Sequence, residues 1–445
     1  MSYSAAVDGL FALAGELHSA PGGGRRKFDL AAMQVLMEAL GSPQQRFRSV
    51  LIAGTNGKGS TASTLASILR TGGYRVGLYT SPHLIRVNER IRINGQDISD
   101  DDCASCYFRV DDCARKLVAD GRLQWHPSFF ETMTALAFLE FAEREVDIAV
   151  LEVGMGGRLD ATNIVEPMVS VITDISLDHT EWLGGTIAEI AREKAGILRE
   201  NGVLVTLPQH PEANQAIGEA AVALHARGVN AAEYVPARGS EGGAYELTIL
   251  GERILIAPPL AGSHQHRNVA LAIAAAVELS NHYGYKLSAN LIAEGVHATR
   301  WPGRLERFSR PGQPDVLMDV AHNPAGVWAL RSALSHVDPQ PRTMTVVFGC
   351  LKDKAFSEMG QILFPMFETV VLTEVPSPRT ASLDELRKAA EATGVRVITS
   401  ANPHEALARA MEITPTDGII VVAGSVYLAG ELRALLLKPV LEPVS

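Results

Sequence analysis

The sequence predicts an α/β protein of two successive parallel-sheet units, the second smaller than the first. Three observations carry that reading. Short apolar runs alternate with stretches of helical spacing in two separate blocks of the chain. A Pro- and Gly-interrupted segment separates the blocks, and polar residues with chemical potential fall just after the apolar runs. Strands of a parallel sheet read as continuous apolar runs because helices cover both faces, and ligands then bind beyond the strands' carboxyl ends. A chain of 445 residues has room for two or three domains, each able to bury its own core.

In the first block, strands are predicted at Val50–Ala53, Val76–Tyr79, Ile148–Val153, Val169–Thr173 and Val203–Leu207. Ala62, Leu65, Ala66 and Leu69 recur at helical spacing after the first of them, and Ala135–Phe141 lies on another helix. Tyr245–Leu250 and Ile254–Ile256 sit among turn signals and read as a small antiparallel addition; Val269–Leu279 reads as an Ala-rich helix. Thr299–Pro302, followed by Gly303, is the expected linker, since Pro and Gly stop regular structure. It divides an N-terminal unit of residues 1–298 from a C-terminal unit of residues 303–445. There the alternation restarts, with strands expected at Val316–Val320, Thr345–Phe348, Val370–Thr373, Val395–Ser400 and Ile419–Ala423.

Composition narrows the function. Hydrophobic residues at 47% exclude a largely disordered or fibrous chain, and a net charge of −10 argues against sequence-nonspecific nucleic-acid binding. A local nest of backbone N–H groups can still hold an anion on an acidic protein. Cys103, Cys106 and Cys113 cluster, but a structural zinc needs four ligands and Cys350 is remote, so reduced thiols are expected. The apolar run Leu10–Ala14 lies between Asp8 and Glu16 with no basic region ahead of it, which suits an amphipathic helix better than a signal peptide. No apolar stretch is long enough to span a bilayer. A cytoplasmic monomer without membrane or nucleic-acid partners is expected.

The strongest motif is Gly54-Thr55-Asn56-Gly57-Lys58-Gly59-Ser60, set between a predicted strand and helix. Such a loop wraps backbone N–H groups around phosphate oxygens, adds the positive end of a helix, and supplies a Lys charge. The hydroxyl after the Lys can reach the magnesium that accompanies ATP. The loop is shorter than the general P-loop pattern, and Gly59 separates Lys58 from Ser60. A glycine-rich turn with an exposed Lys is the plainer reading, and the flanking elements count against it. No Asn-Lys pair of a guanine-selecting motif occurs. Gly154-Met155-Gly156-Gly157-Arg158-Leu159 begins like a dinucleotide fingerprint but ends in Leu159. The fold class is therefore a P-loop parallel-sheet ATPase domain followed by a smaller Rossmann-like α/β domain.

Glu152 closes the run Asp147–Glu152, where a carboxylate faces the crevice and suits magnesium. His179, in Asp178-His179, could complete a metal site or pair with a carboxylate. By spacing alone Lys194 reads as a solvated helix charge and Phe129-Phe130-Glu131 as the opening of a packed helix. Asp319-Val320-Ala321-His322-Asn323-Pro324 closes a strand of the second unit with three polar side chains, a candidate second contact to the nucleotide.

Taken together, these residues resemble the folylpolyglutamate synthase and dihydrofolate synthase family of the Mur-ligase superfamily. The loop Gly54–Ser60 carries the resemblance together with Ser81-Pro82-His83-Leu84, Asn88-Glu89-Arg90-Ile91, Phe129-Phe130-Glu131 and the stretch from Glu152 to Asn163. Asp178-His179, Arg192–Gly196, His264–Asn268, Trp301–Glu306 and Asp319–Pro324 extend it across residues 27–430. The Gly-Lys-Gly-Ser form of the loop separates this family from the cell-wall ligases.

The resemblance implies an ATP-dependent amide ligase that adds L-glutamate to dihydropteroate and to folates, by way of an acyl phosphate, with ATP and Mg2+. It implies that Lys58, Glu152, His179 and Lys194 are catalytic, and that Ser60, Ser81, Glu152, His179 and a carbamylated Lys194 hold metal. Gly54 to Ser60, Asn268, Arg304, Asp319 and His322 would contact ATP. Lys27, Phe28, Asp29, Leu30, Phe129, Phe130, Glu131, Leu159, Asp160 and Ala161 would contact the pterin-bearing substrate. One departure stands out: Ala32-Met33-Gln34 replaces a Leu-x-Arg pattern frequent in the family, so substrate preference could shift. A cell-wall amino-acid ligase, a folylpolyglutamate synthase alone, and a nucleotide-binding regulator are the alternatives.

Overall fold

The computed structural model describes residues 2–14, 30–237, 243–337 and 342–438. The first lobe is built on an eight-stranded sheet: β1 (Arg48–Ala53), β2 (Val76–Tyr79), β3 (Ile91–Ile93), β4 (Gln96–Asp97), β5 (Ile148–Glu152), β6 (Val169–Ile172), β7 (Val203–Thr206) and β8 (Arg227–Asn230). Their spatial order is β4-β3-β2-β5-β1-β6-β7-β8. The six strands from β2 to β8 in that order run parallel, and β3 and β4 add an antiparallel edge. The central strands are apolar on both sides, so alternate residues feed two separate cores. Leu51, Ala53 and Leu151 pack on one face, Val50, Ile52 and Val150 on the other.

A two-stranded antiparallel ribbon, β9 (Tyr245–Ile249) with β10 (Glu252–Ile256), follows as expected, and the Ala-rich helix spans Ser263–His282. The second lobe holds a six-stranded sheet of β11 (Glu306–Phe308), β12 (Asp315–Met318), β13 (Met344–Phe348), β14 (Thr369–Thr373), β15 (Arg396–Ser400) and β16 (Ile419–Ala423). Its order is β11-β12-β16-β13-β14-β15, parallel except at β11. The sheet is covered on both faces by separate clusters around Phe348 and Val347.

The predicted strands all form, with ends shifted by one or two residues. Val153, Thr173 and Leu207, expected inside strands, lie just past them, as do Asp319 and Val320. The sheets are also less purely parallel than expected, because β3, β4 and β11 pair antiparallel. The N-terminal helix Tyr3–Ala14 buries Ala6, Leu10 and Leu13, in keeping with its amphipathic pattern. All four cysteines are free, and burial pushes the thiols of Cys103, Cys106 and Cys350 up to about 12. Among the described residues no helix is long and apolar enough to cross a membrane.

The helix Lys58–Thr71 that follows the glycine-rich loop is held from behind by the helix Ala289–His297. Their backbones touch at Gly295, where an added Cβ would lie 2.4 Å from Ile68 Cα. Gly295→Ala should therefore cost about 1–3 kcal/mol in denaturant unfolding, the usual penalty of overpacking. Gly218→Ala, in a helix with nothing within 4 Å of the new methyl, should be neutral or stabilising in the same measurement.

Candidate active site

The parallel strands of the first lobe deliver their following loops to one edge, and the second lobe faces that edge. Gly54 to Ser60 follow β1, Glu152 ends β5, and Thr173 to His179 follow β6. Asp319 to Asn323 follow β12 from the opposite side. Between the lobes lies a cavity of about 300 Å³. It is lined by the whole Gly54–Ser60 loop with Ser81, Glu152, His179, Lys194, Asn268, Arg304, Asp319 and His322. A smaller chamber of about 230 Å³ adjoins it, sharing Gly59, Ser81, Glu152 and Arg304.

The loop is tied to the tail of β6. Thr55 and Asn56 N–H groups donate to Asp174 O at 2.9 and 3.2 Å, and Thr173 Oγ1 donates to Asn56 O at 2.7 Å. Gly57, at φ 87°, caps the helix Lys58–Thr71 without a side chain, which leaves the helix start open toward the cavity. An added Cβ there would sit 2.1 Å from Asn268 Oδ1. Lys58 Nζ folds back onto Gly54 O at 3.0 Å and Thr55 O at 3.1 Å. Lys194 Nζ, from the end of the helix Ile187–Ala195, donates to the same Gly54 O at 2.7 Å. Burial lowers the pKa of both lysines; Glu152 and Asp178 partly offset this for Lys58, whereas the Lys58 charge pushes Lys194 down further.

Glu152 is buried and accepts the Ser81 N–H at 3.1 Å. Burial raises its pKa, while Lys58 and the Ser81 amide oppose the rise. His179 is pushed down to about 4 by burial, against the pull of Asp178. Burial also lowers His322, whose Nδ1 lies 2.9 Å from Val320 O. Asp319 accepts the Leu305 and Ala321 N–H groups. Ser60 Oγ and Arg304 Nε are buried without a hydrogen-bond partner among the described residues. A buried polar atom of this kind costs stability unless something supplies its partner.

The Mur ligase middle domain matches residues 107–276, and the Mur ligase glutamate ligase domain matches residues 303–426. The dihydrofolate synthase/folylpolyglutamate synthase of Bacillus subtilis is 35% identical over 429 residues, covering 92% of this chain and 96% of that protein. The chain belongs to the folylpolyglutamate synthase/dihydrofolate synthase family. The Mycobacterium tuberculosis folylpolyglutamate synthase complexed with ADP and AMPPCP superposes with a TM-score of 0.88 at 35% identity, covering 98% of this chain and 99% of that one. Escherichia coli FolC in complex with DHPP and ADP gives 0.83 at 28% identity, with 97% of each chain covered.

In this family member the expected nucleotide and metal residues line one cavity, and the described ones among the expected pterin residues are not part of its lining. Lys27, Phe28 and Asp29 lie outside the described residues. Leu30 opens the helix Leu30–Ala39. Glu131 is occupied as a helix cap, accepting Ser128 N and Oγ at 2.7 Å each. Phe130 fills the space a side chain at Gly154 would need, and Phe129 stacks on Phe11 with ring centroids 6.0 Å apart. Asp160 is buried and accepts Thr162 N, Thr162 Oγ1 and Met155 N, which organises the short helix Ala161–Ile164; Leu159 precedes it, half-buried.

Sequence reasoning missed several residues. His264 and Gln265 line the cavity, and Trp301 packs against Gly59. Lys354 reaches Asp178 from the second lobe. His264, Gln265 and Trp301 stood inside motifs already noticed; nothing in the sequence around Lys354 signals its partner.

Gly57→Ala tests the loop. It should weaken AMPPCP binding in calorimetry by about tenfold or more, the scale of one lost charge-assisted contact of ~1.5–3 kcal/mol.

Proposed function

We propose that this chain is an ATP-dependent ligase that joins the amine of L-glutamate to the carboxylate of dihydropteroate and of folates that already carry glutamate. The observation that carries the reading is the convergence of Lys58 and Lys194 on Gly54 O at the open start of a helix, beside the buried Glu152 and the unpartnered Ser60 hydroxyl. Backbone amides, a helix start and the Lys58 amine together recognise a polyphosphate. The relatives' names supply the acceptor and the amino acid, and the nucleotide complexes of two of them support ATP.

A carboxylate and an amine do not condense at neutral pH. Transfer of the γ-phosphoryl to the acceptor carboxylate gives an acyl phosphate and ADP; attack by the glutamate amine then expels phosphate and leaves the amide. Lys58 and the loop amides are placed to neutralise charge on the transferring phosphoryl oxygens. Arg304, Asp319 and His322 would meet the nucleotide from the second lobe, and Asn268 from the helix Ser263–His282. Closing the two lobes would align carboxylate, phosphoryl and amine, an alignment worth about 7–11 kcal/mol in favourable cases. The proposed hinge is Thr299–Pro302, between units of residues 1–298 and 303–445.

The donor set suits magnesium through its oxygens. Ser60, Ser81 and Glu152 would hold the ion with His179, and Lys194 would join them once its amine had taken up CO2 as a carbamate. A buried lysine whose pKa is lowered is the neutral amine that CO2 requires. An ion held by these residues would supply neutralisation of negative charge during the transfer. Among the described residues, Leu30, Phe129 and Leu159 would face the pterin. A cytoplasmic monomer fits a reaction that consumes ATP and free glutamate.

The test is incorporation of labelled glutamate with ATP and magnesium, offering dihydropteroate, a folate monoglutamate and a UDP-muramoyl acceptor in turn. The first two should accept glutamate and the third should not; the reverse pattern would favour a cell-wall ligase. Lys58→Ala should reduce turnover by about 10²–10³ or more, the cost of losing a preorganised charge contact, with an unchanged melting temperature. Removal of divalent ions with EDTA should abolish turnover, and excess magnesium should restore it.

A further inference from the structure

The reaction as proposed leaves one buried charge between the lobes without a role. Lys354 lies in the loop after β13, and its side chain is only 9% exposed. Its Nζ donates to Asp178 Oδ1 at 2.7 Å, and the Asp178 side chain is only 10% exposed. The other oxygen of Asp178 accepts Asn323 Nδ2 at 3.1 Å, and His322 Nε2 lies 3.9 Å from it. Asn323 Nδ2 also reaches Asn56 Oδ1 at 3.0 Å, inside the glycine-rich loop. Asp178 Oδ1 accepts the N–H of His179 at 2.9 Å as well. One carboxylate of the first lobe is thus gripped by side chains of the second, and the same group fixes the backbone at His179 and, through Asn323, the loop at Asn56.

His322 faces the same carboxylate across the crevice, whereas Arg267 with Asp174 and Arg433 with Glu306 each pair within one lobe. Exposed ion pairs contribute little to geometry, but a buried one is strict: removing one partner leaves an uncompensated charge. Opening the lobes would separate Lys354 from Asp178 and leave each to find water. The pair therefore favours the arrangement in which second-lobe residues face the nucleotide loop.

We infer that Lys354 is a positioning residue of the ligase: through Asp178 and Asn323 it locks the second lobe against the nucleotide loop, and so governs the rate of the closed complex more than the first binding of nucleotide. The inference rests on the ligase reading for its rate effect and on the contacts alone for its effect on lobe closure. Because the residue acts through others, a mutant should separate kcat from nucleotide affinity. A misplacement of the order of 1 Å can cost about 10²-fold in rate.

The experiment uses the full chain and the variants Lys354→Met, Lys354→Arg, Asp178→Asn and the Met/Asn double variant. The Met side chain keeps the length and apolar stem of Lys, so no cavity is opened. Lys354→Met should lower kcat by about 10- to 100-fold while AMPPCP binding changes less than about threefold, and Lys354→Arg should recover most of the loss. The double variant should be little worse than the worse single one, because the two residues act as one contact. Small-angle scattering with magnesium and AMPPCP should show a larger radius of gyration for Lys354→Met than for the unaltered chain. A Lys354→Met enzyme with unaltered kcat, or with kcat and AMPPCP affinity falling in parallel, would overturn the assignment. Should the unaltered chain prove inert toward every acceptor, the ligase reading fails; scattering then decides the lock, and equal radii for the two proteins would refute it.

Discussion

Two lysine amines share one backbone carbonyl. Lys58 and Lys194 arrive at Gly54 O from different helices, one four residues downstream and one far along the chain. Gly54 itself sits at φ 150°, and Thr173 occupies the place where its side chain would be. The carbonyl accepts a hydrogen bond from both amines. Burial drives both pKa values down, and the proximity of Lys58 adds to the pressure on Lys194. Lys58 and the uncapped helix start thus face the cavity together, an arrangement that suits an anionic ligand.

The rest of the molecule serves that arrangement. The parallel strands β1, β5 and β6 bring their ends together, so that Gly54, Glu152 and Thr173 become neighbours although distant in sequence. The helix carrying Lys194 packs on the glycine-rich stretch after Glu152: Arg158 N donates to Glu193 O, and a side chain at Gly157 would strike the carbonyls of Glu193 and Lys194. The second lobe completes the cavity with Arg304, Asp319 and His322, and touches the Ser81 segment where Gly430 meets the backbone of Leu84. The cavity is thus walled by both lobes.

Much of this was legible in the sequence. Continuous apolar runs such as Ile148–Leu151 and Ile419–Ala423, short and bounded by polar or glycine residues, read as strands buried on both faces, and the glycine-rich loop announces itself by position. What was illegible has physical causes. β3 and β4 are three and two residues long, and β8, Arg-Gly-Val-Asn at an exposed edge, has no apolar run to read. Thr173 reads as the end of a strand, yet it lies past the sheet, where its hydroxyl and the Asp174 carbonyl fasten the nucleotide loop. Lys194 reads as an ordinary surface cation because its burial comes from tertiary packing, and only family resemblance raised it. Glu131 and Asp160, given to the pterin only by resemblance, also organise local caps, a role that no spacing signals. Lys354 gave no signal at all, since its partner lies 176 positions away in the other lobe.

The central claim is that the crevice delivers a phosphoryl group to an acceptor carboxylate before glutamate attacks. Isotope transfer tests this directly. Dihydropteroate labelled with ¹⁸O in its carboxylate should, on ligation with ATP and glutamate, pass one labelled oxygen to the released inorganic phosphate. Ligation that yields only unlabelled phosphate would contradict the account, because no acyl phosphate could then have formed on that carboxylate.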